Sequence, residues 1–140
     1  MANEWVKVEL YGANNDGTPR RYTIADGVSC SQGAILQLLD DRTASYSTVL
    51  NAPIAGIAAE EHVGGESITD ISCWTQGIFR AVASGGITVG DPVIADRENL
   101  VRTIGGGGGA PVAVASYAAV FGRALDTATD GETLSVRVNL

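Results

Sequence analysis

At the end of the chain, residues 133–140 place an apolar side chain at every second position: Leu134, Val136, Val138 and Leu140 alternate with Ser135, Arg137 and Asn139. A period of two belongs to an extended strand with one buried face, because successive strand side chains point to opposite sides of the sheet. The start of the chain does the same. From Trp5 to Tyr11, the residues Val6, Val8 and Leu10 share one face, and Trp5, Lys7, Glu9 and Tyr11 share the other. Eighteen glycines and four prolines in 140 residues cut the chain into short runs, which suits strands and turns better than long helices.

Further runs are expected as strands at Arg21–Ala25, Ala34–Leu39, Pro53–Ala59, Ser67–Cys73, Ile78–Ala83, Val93–Ala95, Leu100–Ile104 and Tyr117–Leu125. Ala34–Leu39 has helix-favouring residues, but Gly33 and Asp40-Asp41 bracket it tightly and strand is the better reading. Thr43–Asn51 reads as an irregular connection with room for a helical turn. Ile78–Ala83 meets Ser84-Gly85-Gly86 and then Ile87-Thr88-Val89, which reads as a hairpin through glycine. Pro92 lacks an amide donor, so Asp91-Pro92 marks the entry to a strand rather than its middle. Gly105–Gly109, five glycines in a row, reads as a mobile surface loop.

One pattern occurs twice at an offset of 66 residues. Gly56-Ile57-Ala58-Ala59-Glu60 matches Gly122-Arg123-Ala124-Leu125-Asp126, and Gly65-Glu66-Ser67-Ile68 matches Gly131-Glu132-Thr133-Leu134. In each copy a strand reaches an acidic residue, a short loop carries a glycine, and a new strand opens on Glu-Ser/Thr. Each half therefore contributes one antiparallel hairpin of matching geometry, and about ten short strands built this way make a small barrel or sandwich.

The residue inventory gives chemistry little to work with. Net charge is −7 with no basic run, which disfavours a nucleic-acid partner. No apolar run approaches a membrane span, and the amino-terminal residues lack the charge and apolar pattern of a secretory signal. His62 is the single histidine; in Glu60-Glu61-His62-Val63-Gly64 it reads as a solvated loop residue. Cys30 and Cys73 lack metal-ligand spacing and one histidine cannot complete a zinc set, so they read as reduced thiols, though a disulfide stays open. No G-x-S-x-G nucleophile elbow exists. The pairs Asp40-Asp41 and Glu60-Glu61 put neighbouring carboxylates on opposite strand faces. The glycine run lacks the Gly-Lys-Ser/Thr ending of a phosphate loop. No catalytic residue, metal or cofactor is expected. Trp5 and Trp74 are the candidates for a sugar-stacking platform.

Several elements, in order, resemble the capsid decoration or cement proteins of tailed phages and related viruses. They are Ser31-Gln32-Gly33-Ala34-Ile35-Leu36-Gln37-Leu38, Pro53-Ile54-Ala55-Gly56-Ile57-Ala58, Gly77-Ile78-Phe79 with Ala83 to Val93, and Gly122-Arg123-Ala124-Leu125 with Asp130-Gly131-Glu132 and Val136-Arg137-Val138. The resemblance covers about Gly27 to Leu140 and implies an all-β protein: a small β-barrel or β-tulip-like domain of short antiparallel strands. It further implies a homotrimer on the outer capsid surface, made in the host cytoplasm, with the major capsid protein as partner and a stabilising role. On this reading residues 1–26 form an N-terminal arm and first strand, and residues 27–140 a single barrel-like domain within one globular unit. Trp5, Val6, Val8, Leu10 and Tyr11 are the candidate capsid or protomer contacts, because an apolar extended terminus can add a strand to a neighbour's sheet edge. The alternative is another virion or surface β-module, a tail or fibre component or a carbohydrate-binding module.

Overall fold

The computed structural model describes residues 3–9, 19–25, 27–47, 53–65, 69–104 and 119–140. These hold eleven strands: β1 Val6–Glu9, β2 Arg20–Ile24, β3 Ile35–Asp40, β4 Thr43–Tyr46, β5 Ile54–Ala58, β6 Asp70–Trp74, β7 Gln76–Ala83, β8 Pro92–Ala95, β9 Leu100–Thr103, β10 Gly122–Ala124 and β11 Thr133–Asn139. A 3-10 turn, Arg97–Asn99, joins β8 to β9. The protein is all-β, as the alternation requires. The five-glycine run and the first part of Tyr117–Leu125 lie outside the described residues, as does Ser67-Ile68.

The strands close into two five-stranded barrels with the same connectivity. The first runs β2-β4-β3-β5-β6 and returns to β2; the second runs β7-β9-β8-β10-β11 and returns to β7. In each, the first strand pairs parallel with the third (β2 with β4, β7 with β9), and every other neighbour is antiparallel. The registers also agree. Leu36 opposite Gly56 and Tyr46 in the first barrel corresponds to Val93 opposite Gly122 and Thr103 in the second. Isolated bridges Cys30–His62 and Ile87–Ala128 occupy the same place in each copy. The repeat extends over the whole of both barrels, but the strand after each loop aligns at 63 residues rather than 66: Ile71, not Ile68, takes the place of Leu134.

The turns repeat as well. Ala34 donates its amide to the Ser31 carbonyl at 3.1 Å and Asp91 to that of Thr88 at 3.0 Å, with Gly33 and Gly90 third in each turn at φ of 91° and 90°. This is the type II geometry that needs a residue tolerant of positive φ at that position. Where β5 and β10 end, Glu60 and Asp126 accept the backbone amides of Ser72 and Ser135 at 3.0 and 2.8 Å. The acidic residue that recurs in the sequence therefore closes the mouth of each hairpin.

Six of the side chains inside the first barrel are small, Cys30, Ala34, Ala44, Ala55, Ala58 and Cys73, packed with Ile24, Leu36 and Ile71. The second holds bulkier ones, among them Phe79, Val93, Val101, Phe121, Leu134, Val136 and Val138. The outer face of the first barrel, formed by Ile35, Ile54, Ile57 and Trp74, belongs to the same apolar cluster as this second interior. The cluster is thus continuous across both barrels. Asn99 fastens the joint. It is fully buried, its Oδ1 accepts the Ile35 amide at 2.8 Å, and its carbonyl accepts the Trp5 indole N–H at 2.8 Å. Asn99 sits at φ 63°, a left-handed conformation that asparagine adopts more readily than most residues.

Three local expectations change. Thr43–Tyr46 is a strand, held between β3 and β2, so tertiary pairing overrides its weak local pattern. The turn at Ser84–Gly86 does not make a hairpin: Ile87 bridges to Ala128 while β7 pairs with β1, β9 and β11. His62 is not solvated. It is 6% exposed, because its backbone bridge to Cys30 draws it against the first barrel.

Candidate interaction surface

The groups with reactive potential are spent on structure. His62 Nδ1 lies 2.8 Å from the Val28 carbonyl, which can only accept, so Nδ1 carries the proton in that bond. Its counterpart in the second barrel is Ala128, so the bridge itself does not depend on an imidazole. Cys30 and Cys73 are both buried and free. Burial pushes the Cys30 thiol up, and the Cys73 thiol up to about 12; a thiol held protonated is a poor nucleophile. Among the described residues no group of three His, Cys, Asp or Glu side chains is placed to hold a metal ion.

Neither indole offers a sugar platform. Trp5, 3% exposed, packs against Phe79 and Phe121 with ring centres 6.2 and 5.5 Å away. Trp74 packs on Phe79 at 5.7 Å, and the Lys7 ammonium sits 5.1 Å from its ring centre. The two indoles line a cleft of about 330 Å³ with Glu4, Val6, Lys7 and Gln32, at the seam where the arm crosses from the first barrel to the second.

The structure divides the candidate contact residues. Trp5 enters the chain's own core, and its amide donates to the Gly33 carbonyl at 2.7 Å. That close approach is why position 33 tolerates no side chain: a Cβ there would collide with the Trp5 backbone. Val6 and Val8 stay 60% and 51% exposed. Leu10 and Tyr11 lie outside the described residues. β1 pairs antiparallel with the first half of β7, Val6 opposite Arg80 and Lys7 opposite Phe79. It is the end strand of that sheet, so one backbone edge has no strand partner among the described residues. Sequence alternation placed these residues on two faces but gave no sign of which face is buried. Trp5 is the residue of the run that the structure buries.

A second feature was invisible in the sequence. On the outer surface of the second barrel, Arg123 of β10 stands directly opposite Arg137 of β11, and both are exposed. They border a cleft of about 310 Å³ lined also by Val120, Phe121, Gly122 and Asn139. Arg123 is steadied by a 3.1 Å bond from Nη1 to the Gly90 carbonyl. Arg80 lies on the same outer face one strand further on, opposite Ser135. The surface thus runs from apolar, at Val6 and Val8, to cationic.

A search of curated proteins finds no sequence match. Among solved structures, the crystal structure of the head fiber gp8.5 N base in bacteriophage phi29 is similar, with a TM-score of 0.55 and 16% identity over 86% of this chain and 94% of that one. At that identity the likeness speaks to the fold, and it agrees with the all-β architecture. The family model described as phage cement protein matches residues 21–140, a span that takes in both barrels, and so the chain belongs to the phage cement protein family: it is a virion structural protein, associated with the phage capsid.

Proposed function

We propose that this protein binds the outer surface of the capsid lattice, with the major capsid protein as partner, and stabilises the shell as a homotrimer. The observation that carries the reading is the edge strand β1. It holds Val6 and Val8 in solvent beside a backbone edge that has no strand partner among the described residues, and Trp5 anchors it to the barrel core. An exposed edge with apolar side chains invites pairing with another chain. Here Trp5 keeps the arm on its own barrel, and Val6 and Val8 make the contact to a neighbouring protomer. Repetition over a lattice turns modest individual contacts into tight retention, because each bound module holds its neighbours close. No reaction is required of such a protein, which fits the buried and bonded state of His62 and both thiols.

The test is co-sedimentation of purified protein with emptied, expanded capsids of its phage, together with analytical ultracentrifugation of the protein alone. Saturable binding by a trimer is expected, and Val6→Asp with Val8→Asp should shift the trimer towards monomer without lowering the melting temperature of the protomer. A strictly monomeric protein that ignores capsids would overturn the reading.

A further inference from the structure

The cross-strand pair Ile57–Trp74 in the first barrel and the pair Arg123–Arg137 in the second occupy the same position in the repeat. Their neighbours correspond too, since Ile35 faces Ile57 as Pro92 faces Arg123. In the first barrel this face is the docking face. Ile35, Ile54, Ile57 and Trp74 are buried against the second barrel. The equivalent face of the second barrel presents Pro92, Val120, Arg123 and Arg137 to solvent or to the 310 Å³ cleft. The same flat geometry is retained: a Cβ at Gly122 would run into the Arg137 carbonyl, as one at Gly56 would meet that of Trp74. What changes is the chemistry. An apolar pair becomes two arginines directly opposite one another, like charges that disfavour a cross-strand pair on a chain of net charge −7.

We propose that this outer face of β10 and β11, centred on Arg123 and Arg137, is the surface by which the protein docks on a carboxylate-bearing patch of the capsid shell. The inference rests on the capsid-binding reading above and assigns it a site. Charge complementarity selects the occupant. Guanidinium forks match carboxylates in pairs, and the cleft between them gives an acidic side chain room to enter. A second copy docked as the first barrel docks on the second is the natural competitor, and it fits badly. The position of Phe79, which receives Trp74, is held in the first barrel by Arg20: Thr23 opposite Asp70 matches Val82 opposite Thr133, and counting back three residues from each pairs Arg20 with Phe79. Head-to-tail stacking would set Arg20 against Arg123 and Arg137.

The experiment is co-sedimentation of the full chain with emptied capsids of its phage. It compares wild type with Arg123→Glu/Arg137→Glu, Arg123→Gln/Arg137→Gln and Arg123→Lys/Arg137→Lys, with thermal melts of each. The expected result is a loss of affinity on the order of tenfold or more for the Glu pair, a smaller loss for Gln, and a smaller one still for Lys, which keeps the charge but not the fork; wild-type binding should weaken as salt rises. The Gln and Lys pairs should melt within a few degrees of wild type, because both side chains are exposed, and the neutral Gln pair decides the matter if the Glu pair fails to fold. Capsid binding by wild type with the Gln and Glu pairs within twofold of it would overturn this assignment alone. Loss of self-association with capsid binding kept would overturn it in favour of a second copy. A wild-type chain that does not bind capsids would overturn both readings.

Discussion

Truncating Trp5 to alanine tests whether the arm belongs to the chain's own core. The indole is 3% exposed and packs on Phe79 and Phe121. Removing a buried tryptophan side chain costs about 3–5 kcal/mol through lost transfer and the cavity left behind. The Asn99 carbonyl also loses the indole donor, and an orphaned buried acceptor adds about 1–3 kcal/mol. The two together are a large share of the roughly 5–15 kcal/mol that holds a typical domain folded. Trp5→Phe keeps a ring in the cluster and removes the donor, so it should cost about 1–3 kcal/mol. Urea unfolding followed by far-UV circular dichroism reads both values, with unchanged slopes showing that the same surface unfolds. Protein concentration must be held fixed, since self-association adds to apparent stability. A Trp5→Ala cost below about 1 kcal/mol would refute the seating of the arm and return Trp5 to the pool of external contacts.

Two further outcomes follow from the packing. Gly56→Ala brings a Cβ to 2.6 Å from the Trp74 carbonyl and 2.9 Å from Cys73 Sγ, and Gly122→Ala meets the Arg137 carbonyl in the same way; each should lower stability by about 1–3 kcal/mol. Gly131→Ala has open space but φ 82°, so its cost should be conformational alone, about 1 kcal/mol; the urea midpoints rank the three. Cys30 and Cys73 should resist an aromatic disulfide reagent at pH 8 in the folded protein and react promptly in urea. For Cys73 the folded thiol titrates near 12 against an ordinary 9.0. The unfolded thiol therefore releases its proton first, and the stability it contributes below pH 9 is lost as pH climbs from about 9 towards 12. A midpoint that holds steady or rises over that range in wild type relative to Cys73→Ala would contradict the burial.

The all-β class was legible because the alternation at Leu134–Leu140 admits one backbone geometry. The repeat was legible only around Gly56 and Gly122, where the copies keep one offset. Elsewhere the loops differ in length: Leu36 matches Val93 and Ile71 matches Leu134, and those offsets are unequal. A search at fixed spacing therefore loses the barrels between the hairpins. The burial of His62 was hidden because non-local ties, its bridge to Cys30 and its bond to the Val28 carbonyl, and no local pattern, pull it inward. Arg123 and Arg137 are unremarkable in sequence. They become a pair only when β10 and β11 fix their register, and their meaning depends on knowing that Ile57 and Trp74 fill the same place in the other copy.

Asn99 also sets an order of events during synthesis. Its two bonds reach back to Ile35 and Trp5 across 64 and 94 residues, so neither the arm nor the joint can close until the middle of the second barrel has left the ribosome. At about 5–20 residues per second, the first barrel waits several seconds with Ile54, Ile57 and Trp74 uncovered. That interval is when two nascent chains can pair through the face meant for the second barrel.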